Sequence, residues 1–65
     1  MRIQELRKER GMSQLELAAR LGVGQPTVSN WESGYAVPRT QQLPDIARVL
    51  QVSIDRLFDE ADETH

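Results

Sequence analysis

Apolar residues recur along this chain at intervals of three and four, and glycine and proline interrupt them. That period belongs to helices with one buried face. A first helix is predicted over about Arg2–Arg10, with Ile3, Leu6 and Arg10 along one side, and Gly11 supplies the left-handed residue on which helices commonly stop. Ser13 is a good N-cap with Glu16 three residues on, so S-Q-L-E reads as a capping box. The helix it opens carries Leu17, Ala18 and Leu21 on one face and ends at Gly22. A helix this short is unstable unless it packs.

Val23 is apolar in a turn and is expected to plug the core. Gly24 or Gln25 begins a third helix, because Pro26 fits only a first turn, where no intrahelical N–H is required. Val28 and Trp31 share its inward face, so Trp31 reads as core rather than as a binding aromatic, and Ser33-Gly34 ends it. Residues 35–42 read as a loop. Pro44 starts a fourth helix, followed by Asp45 where the helix dipole favours an anion, with Ile46, Ala47, Leu50 and then Val52 inward. Ser53 caps a short fifth helix whose Ile54, Leu57 and Phe58 face the core or an interface. The pattern predicts an all-α fold of five short helices over residues 1–58 and a frayed acidic tail over 59–65.

Composition narrows the chemistry. Sixty-five residues make one small domain. A chain this size buries only roughly 60% of its unfolded surface, so regular helix packing or a partner copy must supply stability. There is no Cys, and the single His is the last residue, which argues against disulfides, thiolate metal sites and Cys- or His-based catalysis. The chain is not expected to be an enzyme or to need a cofactor or metal. No apolar run approaches a transmembrane span and the mixed-charge N-terminus is no signal peptide, so an intracellular protein is expected. Net charge is -2, but it is unevenly spread: residues 1–39 carry +2 and residues 40–65 carry -4.

The informative stretch is Gln14–Trp31: a short helix, a turn at Gly22 and a second short helix. Ala18 permits close approach of a crossing helix, and Val23, Val28 and Trp31 pack the pair at a fixed angle. Such a pair can project one helix into the major groove of B-DNA, which is about 12 Å wide. The outward residues Gln25, Thr27, Ser29 and Asn30 suit hydrogen-bond readout, since Gln and Asn can pair bidentately with adenine.

The ordered set Ser13-Gln14, Leu17-Ala18, Leu21-Gly22-Val23, Val28, Glu32, Gly34 and Pro38 resembles the phage-repressor and Cro-type helix-turn-helix family, the XRE family, over about residues 2–58. The resemblance implies a lambda-repressor-like DNA-binding domain and assigns roles. Gln25 and Asn30 match base-reading positions, flanked by Thr27 and Ser29. Gln14 matches a phosphate-binding glutamine, and Arg7 and Glu32 match a pair that forms an internal salt bridge. Arg10, Ser13, Ser33, Tyr35 and Arg39 are candidate phosphate contacts, together with backbone N–H groups near Ser33–Ala36.

Two departures from the family pattern stand out. Pro26 replaces a polar base-reader and offers only apolar contact, for instance to a thymine methyl. The loop Tyr35–Pro38 lacks the lysines many relatives carry, which implies a shallower salt dependence of DNA binding. The chain reads as a bare DNA-binding module: a cytoplasmic, bacterial or phage-encoded transcriptional repressor. A homodimer is expected on a pseudo-palindromic operator, with Val37, Pro38, Ile54, Leu57 and Phe58 at its interface. The alternatives on the same fold are an antitoxin, a restriction–modification controller or a protein-interaction module that has lost DNA binding.

Overall fold

The computed structural model describes residues 1–58; the predicted acidic tail, 59–65, lies outside the described residues. Five α-helices follow one another: α1 (Ile3–Glu9), α2 (Gln14–Leu21), α3 (Gln25–Ser33), α4 (Leu43–Leu50) and α5 (Ile54–Leu57). A 3₁₀ turn, Thr40–Gln42, leads into α4, and no strand occurs among the described residues. This is the expected all-α architecture, with one addition: the 3₁₀ turn lies inside the stretch predicted to be loop.

The core takes apolar residues from every helix: Ile3, Leu6, Leu17, Ala18, Val28, Trp31, Ile46, Ala47, Leu50 and Leu57. Each helix contributes only one to three of them, so none can bury its stripe except against the others. Burying a Leu, Ile or Val side chain contributes about 1.5–3 kcal/mol. The total stability of a domain this small is itself only about 3–10 kcal/mol. Removing any one of these side chains therefore weakens the whole assembly.

The helix ends share one device. Gly11 (φ 70) and Gly22 (φ 75) are left-handed, and the residue after each turns its N–H back into the helix just ended. Met12 donates to the Arg7 carbonyl at 3.1 Å and Val23 to the Ala18 carbonyl at 3.0 Å, each beside an apolar side chain that packs on the core. Val23 thus plugs the core as predicted. The end of α4 has the same form without glycine: Val52 donates to Ala47 at 3.0 Å around Gln51, whose φ is 61. A left-handed backbone costs a non-glycine residue about 1–2 kcal/mol.

Several local expectations are corrected. Arg7, not Arg10, lies on the buried side of α1. Ser13 does cap α2, its Oγ accepting from the Glu16 N–H at 3.0 Å, but the Glu16 carboxylate accepts from Arg20 instead of completing the box. Ser53 has the extended backbone of an N-cap, yet its hydroxyl does not cap α5; its carbonyl accepts from the Arg56 N–H. Leu57, predicted at the core or an interface, is fully buried, whereas its neighbours Ile54 and Phe58 remain 39% and 49% exposed.

Candidate nucleic-acid interface

Helix α3 is anchored by Val28 and Trp31 and follows Gly24 as its N-cap, with Pro26 in its first turn. At 100° per residue, Pro26, Ser29, Asn30 and Ser33 lie opposite that buried side. Gln25 and Glu32 lie along the edge next to it, and Thr27 on the other edge. Gln25 and Pro26 are exposed, and Thr27, Ser29 and Asn30 are partly covered. The expected base-reading residues therefore share one helix and a largely continuous polar surface.

Behind this surface sits a hydrogen-bonded network. Arg7 donates from Nε to Glu32 Oε2 at 2.7 Å and from Nη2 to Glu32 Oε1 at 3.1 Å. Its Nη1 donates to the Met12 carbonyl at 2.7 Å, so one guanidinium joins α1, the turn after it and α3. The two side chains are nearly closed to solvent, at 9% and 3% exposure. Such a buried pair is tolerable because every polar atom in it is answered. Burial alone would raise the Glu32 pKa. The hydrogen bonds from Arg7 and Gln14, with the positive charges of Arg7 and Lys8, outweigh it and hold the carboxyl below its ordinary value.

Gln14 extends the network outward. Its Nε2 donates to Glu32 Oε1 at 2.9 Å, and its Oε1 faces Gln25 Nε2 at 3.5 Å. The family resemblance pairs Arg7 with Glu32 and connects neither to Gln25. Residues 11 and 18 positions apart on different helices leave no periodic signal.

The expected phosphate contacts divide. Ser13 and Gln14 both stand at the start of α2. The Arg10 guanidinium is committed elsewhere: Nε donates to the Leu50 carbonyl at 2.7 Å and Nη2 to the Gln51 carbonyl at 3.1 Å, capping the end of α4. The backbone N–H groups after α3 are also engaged. Gly34 donates to Trp31, Tyr35 to Ser33 Oγ at 3.3 Å, and Ala36 to the Asn30 carbonyl at 3.2 Å. Ser33 in turn donates its hydroxyl to the Asn30 carbonyl. These groups shape the turn and have no proton left over for a phosphate, which corrects their assignment. Tyr35 remains 83% exposed, and Arg39 is exposed with no ion pair among the described residues.

Of the residues expected at a dimer interface, Val37, Ile54 and Phe58 are on the surface. Pro38 and Leu57 are buried within the single chain, so neither can line a contact with another copy. Among the described residues no cluster of His, Cys, Asp or Glu suited to a metal ion occurs, and no helix is long and apolar enough to cross a membrane.

Comparison with known proteins agrees with this geometry. The chain is 41% identical over 64 residues to the HTH-type transcriptional regulator SinR of Bacillus subtilis, covering 97% of this chain and 58% of SinR. It is 36% identical over 57 residues to the HTH-type transcriptional activator BcrR of Enterococcus faecalis, covering 88% of this chain and 28% of BcrR. It is 40% identical over 57 residues to an uncharacterized HTH-type transcriptional regulator of Archaeoglobus fulgidus, covering 88% of this chain and 81% of that protein. The chain thus spans little more than half of SinR and under a third of BcrR. No solved structure matches at a comparable level of significance. The helix-turn-helix family profile matches residues 3–57, nearly the whole described chain, and with the α2–turn–α3 unit in place the chain belongs to the helix-turn-helix family of the phage-repressor (XRE) type.

Proposed function

We propose that this chain is the DNA-binding part of a transcriptional regulator and that α3 enters the major groove of its operator. The observation that carries this reading is electrostatic. Glu32 is the one charged residue of α3, and its side chain is nearly closed to solvent and matched by Arg7. The helix therefore offers DNA Gln25, Pro26, Thr27, Ser29 and Asn30, which supply amides, hydroxyls and apolar surface without net negative charge. Ser13, Tyr35 and Arg39 supply phosphate contacts around it, and Gln14 adds one through the Nε2 proton that its bond to Glu32 leaves over.

The regulator acts in the cytoplasm and binds as a homodimer, with Val37, Ile54 and Phe58 as the exposed apolar residues available for the contact. Two copies would place their α3 helices in successive major grooves, about 34 Å apart on a pseudo-palindromic site. Repression is the simpler mode, because occupancy of the operator suffices. Activation, the role in BcrR's name, requires a further contact with polymerase.

Selection from a randomised duplex pool tests the reading. Enrichment of a two-fold symmetric site is expected, with Asn30→Ala losing about 1–3 kcal/mol on that site and little on random DNA. Equal losses on both would remove Asn30 from the base-reading set. No enrichment, with only weak salt-sensitive binding, would turn the search to protein partners.

A further inference from the structure

We propose that Pro26 senses the C5-methyl group of a pyrimidine and nothing else about that base. The methyl of 5-methylcytosine then counts as much as that of thymine, and cytosine-5 methylation raises affinity for a site that carries cytosine there. This rests on the reading of α3 as the helix that enters the major groove.

The Pro26 ring is fixed in place and bare. It is the second residue of α3, where no intrahelical N–H is required, and the bonds around it are made by its neighbours. Thr27 and Val28 both donate to the Gly24 carbonyl, at 3.0 and 3.4 Å. Closure of the ring on its own backbone makes its three CH₂ groups move with the helix and not as a free rotor. Gly24 leaves one edge of the ring uncovered: a Cβ at that position would stand 3.5 Å from Pro26 Cδ. Pro26 is exposed on the side of α3 opposite Val28 and Trp31, with Ser29 and Asn30 one turn further along. It is a rigid apolar spot among amides and hydroxyls.

The bases supply the other half of the argument. In the major groove thymine presents an O4 acceptor and a C5-methyl, whereas cytosine presents an N4–H₂ donor and no methyl. A polar side chain tells the two apart at the 4-position. The Pro26 side chain has no donor or acceptor and is blind there. Its contact with a methyl group removes apolar surface from water, which is worth about fourfold in affinity for one methyl. The ring cannot turn to fill the gap when the methyl is missing. Nor does the gain depend on whether oxygen or an amino group stands on the neighbouring carbon.

The test uses the full chain and the operator recovered by selection. Each thymine is replaced in turn by uracil, and each cytosine by 5-methylcytosine, in both half-sites. At the position Pro26 meets, four duplexes are then titrated, carrying thymine, uracil, cytosine or 5-methylcytosine. Thymine over uracil and 5-methylcytosine over cytosine should give the same ratio, about fourfold per half-site. Pro26→Ala removes most of the ring and should bring both ratios close to one together. Pro26→Gln places an amide there, so it should separate the bases by their 4-substituent instead. Pro26 is exposed, so both variants should fold, which a thermal melt checks.

If selection enriches no site, the reading of α3 fails and the proposal falls with it. If a site is enriched but no position shows a methyl effect that Pro26→Ala removes, the proposal alone is overturned. It is overturned as well if thymine beats uracil at that position while 5-methylcytosine binds no better than cytosine, because Pro26 would then be reading thymine as a whole base.

Discussion

Arg7 and Glu32, 25 residues apart in the chain, meet through two hydrogen bonds of 2.7 and 3.1 Å in a nearly solvent-free site. Removing one partner leaves the other charged and buried. Arg7→Ala or Glu32→Ala should therefore cost about 3–5 kcal/mol, a large share of what a domain this size possesses. Replacing both with apolar residues, as in Arg7→Met with Glu32→Leu, should recover much of that loss. Urea unfolding of the two singles and the double forms the cycle that measures it, and a double variant no better than the worse single would contradict the account.

Acid should act through the same carboxyl. Glu32 titrates below its ordinary value of 4.5 in the folded chain, so the unfolded chain binds a proton more readily. Its contribution is present in full above 4.5 and is lost as pH falls through the lowered folded value. Melting temperature should drop across that acid window, and Glu32→Gln, where it folds, should flatten the drop. An unchanged slope in that variant would assign the acid sensitivity to other carboxylates.

Arg10 and Arg39 should separate cleanly in function. Arg10 holds the last carbonyls of α4, so Arg10→Ala should cost about 1–2 kcal/mol of stability and leave the salt dependence of DNA binding alone. Arg39 is exposed and makes no ion pair among the described residues, so Arg39→Ala should leave the melt unchanged and reduce the salt slope by about one. Titrations at several salt concentrations read both effects, and a slope change in Arg10→Ala would return that residue to the DNA surface.

Gln51 stores strain at the same place. It adopts a left-handed φ of 61 where the ends of α1 and α2 use glycine. Gln51→Gly should stabilise the fold by about 0.5–1 kcal/mol. A destabilised variant would mean that the Gln51 side chain makes an unrecognised contribution.

The dimer reading is tested at the surface and not in the core. Phe58→Asp and Val37→Asp should leave the fold intact and shift sedimentation equilibrium toward monomer, while Leu57→Asp should unfold the chain, since Leu57 is fully buried. A monomeric parent protein would end the interface assignment for both residues.

The helix ends were readable because the chemistry of each end is local. Ser13 capping α2, glycine after α1, α2 and α3, and Pro26 in a first turn each act within a few residues. The end of α4 used Gln51 and so gave no such sign. The 3₁₀ turn Thr40–Gln42 was missed because three polar residues carry no apolar period. With only four residues, α5 could not reveal whether Ile54, Leu57 or Phe58 turned inward. The site was readable as a list of residue types on α3. Its wiring was not, because the partners of Arg7, Arg10 and Gln14 are set by how helices cross, and nothing in the charge of Arg10 announces carbonyls 40 and 41 residues away.

The Arg2 N–H donates to the Leu57 carbonyl at 2.9 Å, so the first helix is tied to the last. A unit whose two ends meet behaves as a cassette. Sequence joined at either end departs from one small region, and the path between those points need not thread through the core. The matching span makes up 28% of BcrR but 81% of the Archaeoglobus fulgidus relative. Closure of this kind gives a geometric reason why one small unit can be carried by proteins of such different length.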